Sequence, residues 1–404
     1  MFSNLSDLTV VEAASFVAGP SCGLHLVQMG ARVIRVDPLR GGPDFHRWPL
    51  AAGGQSLFWE GLNRGKLSIC LDLSRPEGRE LAQALIAAPG PGRGLFITNQ
   101  PESGYLSHAG LSVLRADLIS LRIQGWPDGR NAVDYTINAA LGVPFLNGPE
   151  DLDPGVPVNS VIPVWDLQAG ALAAFQLLAA ERQRRLTGTG AELEMALSDV
   201  ASTTLANLGM LAEVQEGGDR SRSGNALFGA FGRDFICADG RRVMIVAITP
   251  RQWMGLLAAL DVTAQVATLE AELGISFATD EGNRFQHRHR LFDLIEAAVS
   301  LWDFPTLAAQ LDRQKVCWEP YQTIAQALGP ESSFRRNNPV FAETRQASGM
   351  TYAAPGPAIR MTDAPRGTPA PAPVLGQDAE QVLGEVLGLT TSEIADLHDR
   401  GIVG

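Results

Sequence analysis

Five short apolar runs recur through the first quarter to third of the chain, and helical patterns lie between them. They are L-T-V-V-E-A-A (8–14), A-R-V-I-R-V-D (31–37), L-S-I-C-L-D-L (67–73), L-F-I-T-N (95–99) and L-I-S-L-R-I-Q (118–124). Each is too short for a helix and too continuously apolar for a strand with one wet face, so each suits a strand covered on both sides. Strands alternating with helices predict an α/β fold with a doubly wound, Rossmann-like parallel sheet. A-E-L-E-M-A-L (191–197) reads as a sixth strand. Among the helices, S-R-P-E-G-R-E-L-A-Q-A-L-I-A-A places Ser74 and Glu77 at capping-box spacing, with Pro76 in the first turn.

The pattern changes at Glu216. G-G-D-R-S-R-S-G-N-A (217–226) is polar and glycine-rich, as expected of an exposed connection. D-F-I-C-A-D-G-R-R-V-M-I-V-A-I then predicts a β-hairpin turning at Asp239-Gly240. Helical patterns follow at 250–260 and 291–310. This organisation predicts a large α/β domain at 1–200, a linker at 201–226 and a smaller α+β domain at 227–328. Residues 329–404 would return to the large domain, ending in a helix pair whose second member has Thr390 and Glu393 as a capping box.

Several function classes are disfavoured at this point. A net charge of -12 argues against a nucleic-acid partner, which needs a basic face. Cys22, Cys70, Cys237 and Cys317 lie far apart and show neither metal-ligand spacing nor a disulfide framework. His287 and His289 stand in a charged segment that reads as solvated. No signal-peptide pattern opens the chain, and no apolar run has the roughly 18–20 residues of a membrane span. The expectation is a soluble cytoplasmic protein without metal. G-P-G-R-G (90–94) precedes a strand rather than following one, so it reads as a turn and not a phosphate loop.

One segment stands out for chemistry. In V-I-P-V-W-D-L-Q-A-G-A-L-A-A-F-Q-L-L-A-A-E (161–181), Asp166 opens a long helix whose Ala169, Gly170, Ala173 and Ala174 leave one face nearly bare for another backbone. Asp166 is a candidate N-cap, although Ala169 stands where a capping box needs Glu or Gln. A carboxylate in such a place is also a candidate nucleophile.

Several ordered segments resemble the class III CoA transferases, the CaiB/BaiF type. These are S-F-V-A-G-P-S (15–21), M-G-A-R-V-I-R-V-D-P (29–38), D-F-H-R-W (44–48), L-N-R-G-K-L-S-I-C-L-D-L (62–73), F-I-T-N (96–99) and A-P-V-L-G-Q-D-A-E-Q-V-L (372–383). The resemblance implies that Asp166 is the catalytic aspartate, attacking an acyl-CoA thioester to give a mixed anhydride and then an enzyme-CoA thioester. Backbone N–H groups near the start of its helix would stabilise the developing charge. The resemblance also implies an interlocked homodimer, which the long connections at 198–226 and 329–373 suit. CoA enters as part of the substrate, and no further cofactor is implied. Contacts to CoA or acyl group are expected from Phe16, Val17, Arg40, Arg47, Leu73, Arg75, Asn99 and Tyr135, with Arg40, Arg47 and Arg75 as candidates for the phosphates.

Within the family, Asn131 and Ala132 stand where the racemase members carry a His-Asp pair, so two-base proton transfer lacks a partner. G-N-A-L-F-G-A-F-G-R-D-F (224–235) lacks the consecutive glycines of the formyl- and oxalyl-CoA transferases. Segments including G-G-P-D-F-H-R-W-P, V-D-Y-T-I-N, V-I-P-V-W-D and V-C-W-E-P-Y resemble members that move CoA within one mesaconate molecule, from C1 to C4. Arg130, Arg233 and the Tyr135 hydroxyl are candidates to hold the spare carboxylate. The alternatives are transfer between separate molecules and a silent acyl-CoA binder in which Asp166 is only a cap.

Overall fold

A computed structural model describes residues 1–101 and 104–404 of the chain, which divides into two compact units. The first comprises Met1–Leu141, Ser160–Glu216 and Asn338–Gly404; the second comprises Gly142–Asn159 and Gly217–Asn337.

The first unit is built on β1 (Thr9–Ala13), α1 (Ala18–Gln28), β2 (Arg32–Pro38), α2 (Leu57–Asn63), β3 (Leu67–Leu71), α3 (Pro76–Ile86), β4 (Leu95–Thr98), α4 (His108–Leu114) and β5 (Ile119–Gln124). Then come α5 (Asp134–Ala140), α6 (Val164–Thr187), β6 (Ala191–Ala196), α7 (Leu197–Asn207) and α8 (Met210–Gln215). The strands form one sheet in the order β3-β2-β1-β4-β5-β6, with every pairing parallel. This is the doubly wound arrangement, and its chain reversal falls between β1 and β4. Ligands in such sheets bind beyond the carboxyl ends of the strands at that point.

All six expected strands are present. The expected capping box at Ser74 and Glu77 is not: the Ser74 hydroxyl and N–H both donate to Asp72 Oδ1, and α3 starts at Pro76 without a side-chain cap. Residues 201–215, expected to be linker, continue as helix through α7 and α8. The glycine turn at 90–94 holds, with positive φ at Gly90, Gly92 and Gly94.

Helices cover both faces of the sheet. Val11, Ile34, Ile69, Leu85, Phe96 and Leu118 are buried in one core with Val382 and Leu383 of a C-terminal helix. On the other face α1 packs against α6, the helix with the small-residue stripe. A Cβ added at Gly170 would lie 2.7 Å from Ser21 Cβ and 2.9 Å from the Ala18 carbonyl oxygen. Glycine there is a condition of the approach, not an accident of composition.

In the second unit, β7 (Phe231–Ile236), β8 (Arg242–Ala247) and β9 (Cys317–Pro320) make an antiparallel sheet. The hairpin turns where expected, with Gly240 at φ 79°. Helices α9 (Pro250–Leu260), α10 (Thr263–Leu273), α11 (Glu281–Gln286), α12 (Arg288–Val299) and α13 (Phe304–Arg313) enclose an aromatic core of Phe231, Phe235, Trp253, Phe277 and Phe292. The helical pattern expected at 291–310 is split between α12 and α13, because Asp303 caps a new helix at the Thr306 N–H with Pro305 in its first turn. Short helices α14 (Ile324–Leu328) and α15 (Ser333–Arg336) complete this unit. The hairpin β10 (Phe341–Arg345) and β11 (Thr351–Pro355) and helices α16 (Ala379–Leu387) and α17 (Thr391–Asp399) belong to the first unit. The Thr390–Glu393 capping box forms as expected.

No helix among the described residues is long and apolar enough to cross a membrane. The four cysteines are unpaired; Cys317 alone of them is exposed.

Candidate active site

Asp166 is not the cap of its helix. Pro163 occupies the N-cap position, Asp166 lies in the first turn, and the cap comes from elsewhere. Asp134 Oδ2, at the start of α5, accepts the N–H groups of Trp165 at 2.7 Å and Asp166 at 3.1 Å. Four residues on, Asn138 Oδ1 accepts the Trp165 indole N–H at 3.2 Å. One face of α5 thus grips the backbone and the side chain of Trp165, and the Asp166 side chain is left free of capping duty.

That side chain is mostly buried and opens into a cleft of about 650 Å³ at the carboxyl ends of β1, β4 and β5. Burial and the neighbouring Asp134 charge push the Asp166 carboxyl up to about 7, and the Arg47 guanidinium opposes the rise. The Asp134 carboxyl is itself raised by burial, with the two backbone N–H groups it accepts pulling the other way. Asp166 therefore changes charge near neutral pH, as a group matched to reactivity there does.

The opposite wall is the turn after β1. Phe16 adopts φ 68°, a left-handed conformation that costs a side-chain-bearing residue roughly 1–2 kcal/mol. Three hydrogen bonds hold it there. Asn99 Oδ1 accepts the Ser15 N–H at 3.1 Å, Asn99 Nδ2 donates to the Ser15 carbonyl at 2.9 Å, and Asp44 Oδ2 accepts the Phe16 N–H at 3.1 Å. Asp44 is anchored in turn by Arg35, whose Nη2 donates to it at 2.9 Å and whose Nε donates to Asp37 at 2.8 Å. Arg35 Nη1 reaches Asn63, which also accepts from Lys66; Lys66 pairs with Glu12 at 2.7 Å. These charges are buried yet almost fully hydrogen-bonded, the condition under which a buried ion pair is tolerated. The network ties β1, β2 and α2 to the strained turn.

The expected site residues divide clearly. Phe16, Val17 and Asn99 line the same cleft as Asp166. Leu73 lines a separate cavity of about 50 Å³ with Val36, Pro38 and Tyr105, which shares Ser15 and Gln100 with the larger cleft. Arg47 is exposed, with its guanidinium 5.6 Å from the Phe16 ring centroid and 5.2 Å from that of Phe58. Arg40 is an exposed residue of the turn after β2. Arg75 donates to the Arg400 carbonyl at 2.8 Å. The candidates for a spare carboxylate are already engaged. Arg130 pairs with Asp128 at 2.7 Å over the Trp126 ring, Tyr135 donates to the Val161 carbonyl at 3.1 Å, and Arg233 pairs with Glu296.

The sequence reading missed Asp134, Asn138, Asp44 and Arg122. The D-x-x-x-N spacing of Asp134 and Asn138 on one helical face was a usable signal. The helix-start N–H groups expected to stabilise charge are also reassigned. Those of Trp165 and Asp166 are taken by Asp134, whereas those of Val17 and Ala18 at the uncapped start of α1 have no acceptor among the described residues, and both residues line the cleft.

Comparison with known proteins agrees with this geometry. The profile described as CoA-transferase family III matches residues 5–379. Over 401 residues the chain is 45% identical to 2-methylfumaryl-CoA isomerase of Chloroflexus aurantiacus, covering 99% of this chain and 97% of that one. It is 28% identical to succinyl-CoA:mesaconate CoA-transferase of Haloarcula marismortui, covering 94% and 96%. The crystal structure of a CaiB/BaiF family protein from Brucella suis shares the fold, with a TM-score of 0.76 at 24% identity over 96% of this chain and all of that one. With the doubly wound sheet, the cleft at its reversal point and the aspartate at the head of α6, these matches make the chain a member of CoA-transferase family III.

Proposed function

We propose that the chain is an intramolecular CoA transferase that converts 2-methylfumaryl-CoA to 3-methylfumaryl-CoA, moving CoA from C1 to C4 of mesaconate. The observation that carries this reading is a partly buried carboxylate at the head of a helix whose backbone Asp134 caps, so that the Asp166 side chain is available, in a cleft of small-ligand size. The chain's similarity to 2-methylfumaryl-CoA isomerase supports the choice of acyl group.

Chemistry imposes a relay. The carboxylates of mesaconate lie on opposite sides of a double bond, so C4 cannot reach C1 to form a cyclic anhydride. A carboxylate of the protein can bridge them in time. Ionised Asp166 attacks the C1 thioester carbonyl; the C–S bond breaks, and CoA thiolate leaves a mixed anhydride behind. The thiolate then attacks the Asp166 carbonyl, releasing the C1 carboxylate and forming an aspartyl-CoA thioester. The C4 carboxylate attacks that thioester and expels thiolate, which returns to the C4 carbonyl and frees Asp166. Each tetrahedral intermediate carries an oxyanion, and the N–H groups of Val17 and Ala18, which have no acceptor among the described residues, are suited to stabilise it. The second carboxylate is never released, so its effective concentration far exceeds that of a free acid.

The resemblance to the family also leads us to propose the interlocked homodimer. Phe175, Leu186, Leu208, Leu211 and Val214, on α6 to α8, are large apolar side chains left exposed, as a partner-covered surface would leave them. Light scattering at micromolar concentration should return twice the chain mass.

The test of function is to incubate purified protein with 2-methylfumaryl-CoA and no added acid, and to separate the two isomers by chromatography. Conversion by the intact protein, lost in Asp166→Ala, is expected. Turnover only after a second carboxylic acid is added would make it a transferase between molecules.

A further inference from the structure

The cleft contains a cation that no carboxylate among the described residues neutralises. Arg122, near the carboxyl end of β5, is 6% exposed and lines the cleft with Asp166. Its Nη1 donates to the Gln100 carbonyl at 3.2 Å, and its Nε is buried without a partner. Glu194 is its register neighbour on β6, yet Arg122 forms no ion pair among the described residues. Arg130, the other arginine lining the cleft, is neutralised by Asp128. A guanidinium held out of water without a carboxylate is expensive, and an incoming anion would offset that cost.

We infer that Arg122 anchors the spare carboxylate of the acyl group and so selects dicarboxylic over monocarboxylic acyl-CoA. This rests on the function proposed above. Because Arg122 shares its cleft with the nucleophile, the group that reaches it belongs to the acyl part; the CoA phosphates are separated from the thioester by the whole pantetheine arm. A guanidinium fork fits a carboxylate with two parallel hydrogen bonds. In the first half-reaction it would hold C4, and after transfer C1, keeping mesaconate in the cleft while its free end exchanges at Asp166.

The test compares 2-methylfumaryl-CoA with tiglyl-CoA, which has a methyl group in place of the C4 carboxylate. Hydroxylamine captures the acyl group of the mixed anhydride as a hydroxamate, so CoA release reports acylation of Asp166 for both. The intact protein should prefer the dicarboxylic substrate in kcat/KM by roughly 100-fold or more, and Arg122→Gln should reduce that preference to within about 3-fold, because a site built to pair a polar group rejects an analogue lacking it. Arg122→Lys should retain part of it. A preference unchanged in Arg122→Gln, or a parallel loss with both substrates, overturns the inference. Calorimetry with free mesaconate gives a reading independent of chemistry: its Kd should rise in Arg122→Gln, with the Kd for CoA as the folding control, and equal mesaconate affinity in both proteins also overturns it. If the intact protein prefers the dicarboxylic substrate but forms no 3-methylfumaryl-CoA, the intramolecular reading fails and the anchor stands.

Discussion

Asp134 and Asp166 stand 32 residues apart in sequence, and one oxygen of the first accepts the backbone N–H of the second at 3.1 Å. The same carboxylate therefore builds the helix turn that presents the nucleophile and, by its charge, resists ionisation of that nucleophile.

This coupling sets the pH dependence. Asp166 must be ionised to attack, so kcat/KM should rise with pH through about 7 and level off above it. Asp134→Asn keeps an oxygen for the cap and removes the charge, so the midpoint of that limb should move to lower pH. Asp134→Ala loses the cap as well and should cost roughly 1–2 kcal/mol of stability. An unmoved midpoint in Asp134→Asn would show that the two carboxylates do not interact.

Stability carries the opposite signature. The Asp166 carboxyl is raised from 3.8 in the ordinary state to about 7 in the fold, so the folded protein holds the proton more tightly. Stability then falls as pH rises from about 4 to about 7, and the full cost is present above that. Asp166→Asn should abolish activity yet raise stability at pH 8 by roughly 1–3 kcal/mol once partial exposure is allowed for, seen as a higher melting temperature, with little change at pH 4. Scanning calorimetry of both proteins at the two pH values checks this.

Gly170 controls the seam between α1 and α6. Gly170→Val would drive atoms into Ser21 and the Ala18 carbonyl, moving the turn that faces Asp166. Overpacking of this kind should cost roughly 1–3 kcal/mol, read as a shift in urea midpoint. The catalytic loss should be larger than the stability loss alone explains at 25 °C, because Ala18 at the start of α1 and Asp166 on α6 both line the cleft.

Lys66 tests the buried network. Lys66→Met leaves Glu12 in the interior without its closest partner, although Arg35 remains 3.7 Å away. Breaking such a pair from one side should cost roughly 3–5 kcal/mol. The double change Lys66→Met with Glu12→Leu should recover part of it, and chemical denaturation of the three variants measures the recovery.

The parallel sheet was legible because most of its strands are short, mainly apolar runs between helical patterns, as strands buried on both faces are. Asp166 and the small-residue helix were legible too, since both belong to one contiguous segment. What escaped notice depends on contacts between distant segments. Ser74 has the spacing of a cap, but Asp72, two residues earlier, captures its hydroxyl. Asp134 caps a helix that starts 30 residues later, and its D-x-x-x-N spacing with Asn138 marks a shared helical face but not what that face holds. Arg122 reads as an ordinary polar residue in a strand; that it has no carboxylate partner among the described residues is visible only when the neighbouring strands are in place. The segment Gly142–Asn159, which belongs with the second unit, likewise carries no break in composition.

The central claim is that Asp166 carries CoA between the two ends of one acid, and oxygen isotopes test it directly. In the relay, an oxygen of the C4 carboxylate ends on Asp166. A single turnover with excess protein and 2-methylfumaryl-CoA labelled with heavy oxygen in its C4 carboxylate should leave the label in the peptide containing Asp166, detected by mass spectrometry. Formation of 3-methylfumaryl-CoA with no label in that peptide would contradict the account.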